Sequence, residues 1–141
     1  MLAPPPVPFD SETKKTVLTG NEKILVVDDE ENLVFMYKEI LEELGYTVVS
    51  TTSSKAGLDA FRASPEKYDV IITDQTMPHL TGEELAIEML KIRPEIPIIL
   101  CTGYSSMLSE KKAQGIGIRK FIMKPVTREK IAIAVREVLD Q

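Results

Sequence analysis

The chain has 141 residues, of which 43% are hydrophobic and 28% charged, and these values are ordinary for one compact globular domain. Its net charge of -5 at pH 7 argues against nonspecific binding to nucleic acid, because such binding needs a basic face that displaces phosphate counterions. The single cysteine, Cys101, excludes an internal disulfide, and no apolar run approaches the length of a membrane span. We therefore expect a cytoplasmic protein that contacts neither nucleic acid nor a membrane directly.

The N-terminal residues differ in composition from the rest of the chain. Residues 1–21 contain four prolines and show neither helical nor strand periodicity, which predicts a linker or tail. From residue 22 the pattern changes to alternating apolar runs and amphipathic segments. We therefore expect a single folded domain over residues 22–141.

Short apolar runs alternate with segments of helical periodicity along the folded part. The apolar runs predict strands over residues 24–27, 47–49, 69–74, 96–101 and 120–123. Apolar residues at helical spacing predict helices over residues 33–44, 53–64, 85–93, 105–114 and 131–139. Gly45 is expected to end the first helix, and Gly115 with Gly117 to end the fourth. This alternation predicts an α/β fold, a five-stranded parallel sheet that is doubly wound, with helices on both faces.

Polar side chains with complementary chemistry stand where the predicted strands end. They are Asp28, Asp29, Asp74, Thr102 and Lys124. Open parallel sheets bind ligands beyond the carboxyl ends of their strands, where the strand order reverses. We therefore expect three acids, a hydroxyl and an amine to meet in one crevice.

Three carboxylates in one crevice repel each other strongly. At an effective dielectric constant near 20, each pair about 4 Å apart costs about 4 kcal/mol. A divalent cation offsets this repulsion, and hard oxygen ligands in a water-rich site favour Mg²⁺, which shares its coordination with phosphate oxygens. The lysine supplies a positive charge for a phosphoryl group, and the threonine supplies a hydrogen bond. The residues therefore predict phosphoryl transfer, with Asp74 as the nucleophile that forms an aspartyl phosphate.

Four ordered motifs resemble those of the receiver domain of two-component response regulators. They are ILVVDDE at residues 24–30, IITDQTMP at 71–78, LCTG at 100–103 and FIMKP at 121–125. The resemblance extends from about residue 23 to residue 139, nearly the whole folded part. It implies a flavodoxin-like (βα)5 fold with strand order 2-1-3-4-5. It also implies that the chain is a signalling module and not an enzyme. Such a module catalyses only its own phosphotransfer and dephosphorylation.

The resemblance assigns roles to the residues around the third strand. Asp74 matches the phosphoacceptor, which receives its phosphoryl group from a histidine kinase or a histidine phosphotransfer domain. Asp29 matches the direct Mg²⁺ ligand, and Asp28 matches the acid that acts largely through metal-bound water. The backbone carbonyl of Thr76 matches the remaining protein ligand of the metal.

The resemblance also implies a switch. Thr102 matches the hydroxyl that moves to the phosphoryl oxygen, and Lys124 matches the lysine that pairs with the phosphoryl group. Phe121 falls at the switch aromatic, which turns into the space that the threonine vacates and reshapes the surface of the fourth helix and fifth strand. Phenylalanine has no hydroxyl, so a switch at this position works through packing of the ring alone. The alternative is that Phe121 is an ordinary packed side chain that does not switch. The bond before Pro125 matches the family's cis peptide.

The residues within the motifs most resemble those of receivers at the C-terminus of hybrid sensor histidine kinases. Residues 1–21 would then be the linker from the kinase portion. The alternative is a stand-alone single-domain regulator. A homodimer through the face of the fourth helix, fifth strand and fifth helix is a further expectation from the family. Gln75, Thr76 and Tyr104 occupy positions at which family members vary and tune the lifetime of the phosphate.

Other interpretations remain open from the residues themselves. An aspartate-nucleophile phosphatase usually carries a second acid two residues after the nucleophile, where this chain has Thr76. The intact set of acids argues against a receiver that serves only as a binding scaffold, and against a flavin-binding protein of the same fold class. Asp28 and Asp29 by themselves could simply cap a helix. His79 is expected to be an exposed loop residue, and Cys101 a buried thiol.

Overall fold

The structure, a computed structural model, describes residues 18–103 and 107–141, so residues 1–17 of the predicted tail, Tyr104 and the predicted start of the fourth helix lie outside it. Within the described residues, five parallel strands form one sheet: β1 (Lys23–Val27), β2 (Thr47–Thr51), β3 (Val70–Asp74), β4 (Ile98–Thr102) and β5 (Lys120–Met123). The helices are α1 (Glu31–Glu43), α2 (Ser54–Ala63), α3 (Gly82–Ile92), α4 (Met107–Ile116) and α5 (Arg128–Leu139), with a short 3-10 turn at Pro65–Lys67. In these ranges no helix is both long and apolar enough to cross a membrane.

The strand order is β2-β1-β3-β4-β5, as predicted. Every pair is parallel, and the central pair runs in register from Ile24 beside Val70 to Val27 beside Thr73. All residues of β3 and β4 are buried, as expected for strands that helices cover on both faces. The doubly wound, flavodoxin-like α/β architecture is therefore confirmed.

Successive side chains of β1 enter two different hydrophobic clusters, one on each face of the sheet. Ile24 and Val26 lie in the cluster that α1 and α5 complete. Leu25 and Val27 lie in the cluster that α2, α3 and α4 complete. Full burial of one such side chain contributes roughly 1.5–3 kcal/mol, so a one-residue slip of β1 is strongly unfavourable. The burial pattern therefore fixes which residue stands at the end of the strand.

Several predicted boundaries differ from the structure by a few residues, and two of them are informative. β4 begins at Ile98, two residues after the predicted start, because Pro97 has no N–H to donate to the ladder; its carbonyl still accepts from the N–H of Ile71 at 2.9 Å. Gly115 lies inside α4 instead of ending it, since a glycine costs a helix only about 1 kcal/mol relative to alanine. The helix ends before Gly117, whose φ of +116° lies in the left-handed region.

Two features at the carboxyl edge were not predicted. α3 begins at Gly82 after a capping box, in which the Thr81 hydroxyl accepts from the N–H of Glu84 at 3.1 Å and the Glu84 carboxylate accepts from the N–H of Thr81 at 2.9 Å. β2 extends to Thr51, whose carbonyl accepts from the N–H of Asp28 at 3.3 Å. The second strand therefore supports the backbone of the first predicted site residue.

Arg136 of α5 holds the segment that leads into β1. Its guanidinium donates to the Glu22 carboxylate at 2.9 Å, the Tyr46 hydroxyl at 3.2 Å and the Asp140 carboxylate at 2.6 Å. The N–H of Gly20 also donates to a carbonyl just after α1, at 3.0 Å. These contacts fix the entering chain at the edge of the sheet opposite to the carboxyl ends of the strands.

Candidate functional site

The charged residues predicted for the site meet at the carboxyl edge of the sheet. Asp28 directly follows β1, Asp74 is the last residue of β3, and Lys124 directly follows β5. The strand order reverses between β1 and β3, because the chain passes from β1 outward to β2 and from β3 outward to β4. The loops after these two strands therefore diverge and leave a crevice between them.

Asp28, Asp29 and Asp74 form an acidic cluster in this crevice. Each offers one carboxylate oxygen, and these three atoms lie within 4.8 Å of one another. Asp28 is fully buried and Asp74 is 5% exposed, whereas Asp29 is exposed. Two of the three carboxylates therefore have little help from water in offsetting their mutual repulsion.

Lys124 supplies the opposite charge. Its Nζ lies 2.7 Å from Asp74 Oδ1 and 4.0 Å from Asp28 Oδ2. Partial burial alone lowers the pKa of Lys124, but its hydrogen bond to Asp74 and the charges of both acids outweigh burial and raise the pKa above its usual value. The backbone N–H of Lys124 donates to the carbonyl of Thr102 at 2.8 Å, and its peptide bond to Pro125 is cis. The ammonium is therefore charged at neutral pH and lies beside the acids.

One oxygen of Asp28 lacks a hydrogen bond. Oδ1 accepts from the backbone N–H of Glu30 at 2.9 Å, but Oδ2 is buried without a hydrogen-bond partner in the described part of the chain. Burial raises the pKa of Asp28 to about 6; the Glu30 N–H and Lys124 act in the opposite direction, and the charges of Asp74 and Asp29 add to the increase. A buried anionic oxygen without a donor, beside two other hard oxygen donors, suits a divalent cation such as Mg²⁺. The residues present therefore fit the predicted metal.

The remaining predicted residues lie in β4, in β5 and in the loop after β3. Thr102 ends β4 and is 8% exposed, and Thr76 is exposed in the loop after β3. Phe121 is half-buried in β5, where it packs against the hydrophobic cluster of α2, α3 and α4. Its ring lines a cleft of about 190 Å³ together with Ala113 of α4. Phe121 therefore lies beside the helix whose surface it was predicted to reshape.

Two residues with chemically versatile side chains lie where the sequence predicted. His79 is exposed in the loop before α3. Cys101 is fully buried in β4, and burial raises the pKa of its thiol to about 12. A thiol with so high a pKa is not a nucleophile at neutral pH.

The loop after Asp74 is held by contacts that the strand and helix patterns in the sequence do not indicate. The N–H of Gln75 donates to the carbonyl of Cys101 at 2.9 Å, and its side-chain oxygen accepts from the N–H of Glu83 at 2.9 Å. Gly82 approaches so closely that an added Cβ would lie 2.4 Å from the Asp74 carbonyl oxygen. A glycine in the first turn of a helix is the signal in the sequence that indicates this close approach.

Comparison with protein families matches residues 24–136 to the response regulator receiver domain. The chain belongs to this family. It is therefore a phosphoryl-accepting domain of two-component signalling, a class whose partners are histidine kinases, and it is not an enzyme in the conventional sense. The family assignment argues against the phosphatase and flavin-binding alternatives.

Relatives carry the receiver in different contexts. The chain is 31% identical to the transcriptional regulatory protein GlrR of Escherichia coli, covering 84% of this chain and 26% of that protein. It is 27% identical to the sensor kinase CckA of Brucella abortus, with coverage of 91% and 14%, and 28% identical to the chemotaxis protein CheY of Thermotoga maritima, with coverage of 83% and 97%. The chain thus spans about a quarter or less of the first two relatives. A crystal structure of a receiver domain protein from Clostridium thermocellum superposes with a TM-score of 0.81 at 34% identity, covering 84% of this chain and 94% of that one.

Replacing Asp28 by asparagine should stabilise the metal-free receiver at neutral pH. The folded-state pKa of about 6 lies above the ordinary value of 3.8, so ionisation of Asp28 lowers stability as the pH rises between these two values. Asp28→Asn should therefore unfold with a free energy about 3 kcal/mol higher above pH 7, and with an equal free energy below pH 4. Urea unfolding in EDTA over a pH series measures this difference.

The exposed acid of the same cluster provides the control. Asp29→Asn removes an equal charge from a solvated position, so its gain in stability should be much smaller. Equal unfolding free energies for Asp28→Asn and the unsubstituted protein at pH 8 would contradict the assignment of a strained, buried carboxylate.

Proposed function

We propose that Asp74 is the phosphoryl acceptor of this receiver. The contact that carries the proposal is the 2.7 Å approach of Lys124 Nζ to Asp74 Oδ1 within the acidic cluster. A fixed ammonium beside the nucleophilic carboxylate stabilises the negative charge that the phosphoryl oxygens bring. The donor is a phosphohistidine of a histidine kinase or a histidine phosphotransfer domain. A carboxylate oxygen bonds to phosphorus, the phosphorus–nitrogen bond breaks, and the histidine nitrogen takes up a proton.

The acidic cluster holds Mg²⁺ in this proposal. Asp29, Asp74 and the backbone carbonyl of Thr76 are direct ligands, and Asp28 acts largely through metal-bound water. The unsatisfied Oδ2 of Asp28 supports this assignment, as does the excess of three carboxylates over one ammonium in the crevice. When bound, the cation supplies the positive charge that the incoming phosphoryl group requires.

Thr102 and Phe121 form the proposed switch. The backbone of Thr102 is bound to that of Lys124, which places the threonine between the acceptor site and β5. In the phosphorylated state the Thr102 hydroxyl bonds to a phosphoryl oxygen, and the Phe121 ring turns further inward. The half-buried ring and the adjoining cleft of about 190 Å³ support a side chain with two packing states. The surface that changes is formed by α4, β5 and α5, the face proposed for homodimerisation.

Relatives of both kinds match the chain, a chemotaxis protein of Thermotoga maritima and a sensor kinase of Brucella abortus. We propose the stand-alone regulator, with the hybrid kinase that the motifs resemble as the alternative. In this proposal the receiver acts in the cytoplasm, where a separate kinase phosphorylates it and it passes the signal on through its switch face.

Asp74→Asn should abolish modification by acetyl phosphate, because the amide nitrogen cannot replace the nucleophilic carboxylate oxygen. The protein is incubated with Mg²⁺ and acetyl phosphate, and intact-mass spectrometry detects the added phosphoryl group. Asp59→Asn, which removes an exposed acid from α2, should leave modification unchanged. Phosphorylation of the Asp74→Asn protein would overturn the assignment of the acceptor.

Phe121→Ala should separate phosphorylation from its structural consequence. The variant keeps every charged residue of the crevice, so acetyl phosphate should still modify it at a similar rate. With Mg²⁺ and beryllofluoride, the unsubstituted protein should dimerise in sedimentation velocity and show altered hydrogen exchange in α4 and β5, whereas the variant should show neither change. A full response in the variant would mean that the ring is ordinary packing.

The stand-alone architecture is tested in the source cells. An antibody against the receiver should detect a polypeptide of the size of this chain on a denaturing gel. A single, much larger polypeptide that also carries kinase activity would instead establish the hybrid context.

A further inference from the structure

The β3–α3 loop contains a tight turn centred on a histidine. The N–H of Leu80 donates to the carbonyl of Pro78 at 2.8 Å, which closes a three-residue γ-turn, and the central residue His79 has a φ of +73°. A residue with a Cβ is strained in this left-handed region, and such strain persists only when neighbouring groups hold the backbone. The loop that follows Asp74 therefore depends on an external support.

Ser54, the first residue of α2, provides that support. Its hydroxyl donates to the carbonyl of Pro78 at 2.9 Å and accepts from the N–H of Leu80 at 3.3 Å. One side chain thus bridges both residues that flank His79, although it is 24 and 26 residues away from them in the chain. Ser54 is 2% exposed, so water has little access to replace these hydrogen bonds.

The rest of the loop is anchored at several further points. Met77 is 8% exposed and packs in the hydrophobic cluster of α2, α3 and α4. The carbonyl of Gln75 accepts from the N–H of Gly82 at 2.9 Å. Thr76, whose carbonyl is a proposed metal ligand, lies between these anchors. A change in the γ-turn is therefore transmitted along a short, constrained backbone to the residues next to Asp74.

We propose that Ser54 is a positioning residue for the acceptor site. By holding the γ-turn at His79, its hydroxyl restrains the loop on the C-terminal side of Thr76 and so strengthens Mg²⁺ binding and phosphoryl transfer to Asp74. This inference rests on the function proposed for Asp74 and its neighbours. Ser54 acts through the loop, since the hydrogen bonds of its hydroxyl are made to loop backbone.

Ser53 offers a matched control. It directly precedes Ser54 and caps the same helix, because its hydroxyl accepts from the N–H of Ala56 at 3.1 Å. Ser53→Ala and Ser54→Ala each remove one hydroxyl from the start of α2. The first loses a hydrogen bond within the helix, whereas the second loses the bridge to the β3–α3 loop.

The full chain is used for three measurements on each variant. These are Mg²⁺ affinity by calorimetry, hydrogen exchange of the Leu80 amide by NMR without metal, and the Mg²⁺ dependence of phosphorylation by acetyl phosphate. Ser54→Ala should bind Mg²⁺ about threefold to tenfold more weakly, the effect expected from the loss of one buried hydrogen bond, and should exchange the Leu80 amide faster by a similar factor. The Mg²⁺ concentration for half-maximal phosphorylation should rise equally. Ser53→Ala should lower the melting temperature and leave all three measurements unchanged.

The outcomes separate this inference from the proposed function. If Ser54→Ala matches Ser53→Ala in Mg²⁺ affinity and Leu80 exchange, the positioning role is wrong, even when phosphorylation still requires Asp74. If the Asp74→Asn protein is still phosphorylated, the proposed acceptor is wrong, while Leu80 exchange and Mg²⁺ affinity still decide whether Ser54 supports the loop.

Discussion

The mutual repulsion of Asp28, Asp29 and Asp74 is the constraint on which the rest of this structure depends. Carboxylate oxygens within 4.8 Å of each other repel by at least about 3.5 kcal/mol per pair at an effective dielectric constant near 20. A flexible chain would separate the carboxylates. Here the hydrophobic clusters on both faces of the sheet hold β1 and β3 in register, and Lys124 offsets part of the charge. The energy of core burial is thus used to maintain an arrangement that is unfavourable without a ligand.

This arrangement explains why a receiver can respond to one small group. The crevice in the described structure is rich in negative charge, with a buried oxygen of Asp28 that accepts no hydrogen bond. Any cation or phosphoryl group that binds there changes the balance of charges in the crevice. Thr102 and Phe121, the residues of the proposed switch, belong to the neighbouring strands β4 and β5.

The fold and the charged centre could be predicted from the sequence because both depend on local patterns. Apolar runs give the strands, and the runs of β1 and β3 end directly in two residues of the acidic cluster, Asp28 and Asp74. The start of β4 was missed because hydrogen bonding between neighbouring strands, and not the apolar character of single residues, decides where a strand begins. The position of Gly115 inside α4 was missed because the cost of one glycine is small compared with the stability of the whole helix. The contact of Ser54 with the loop leaves no periodic trace, because it joins a short polar side chain to backbone more than 20 residues away. The raised pKa of Asp28 likewise depends on its depth of burial, which spacing does not reveal.

The contacts of Arg136 have an architectural consequence. One guanidinium binds Glu22 just before the first strand and Asp140 just after the last helix, so the polypeptide enters and leaves the domain at neighbouring points. Both points are at the pole remote from the acidic crevice. A receiver built in this way can be joined to unrelated polypeptides on either side without obstructing the approach of a phosphodonor, which gives the fold its modularity.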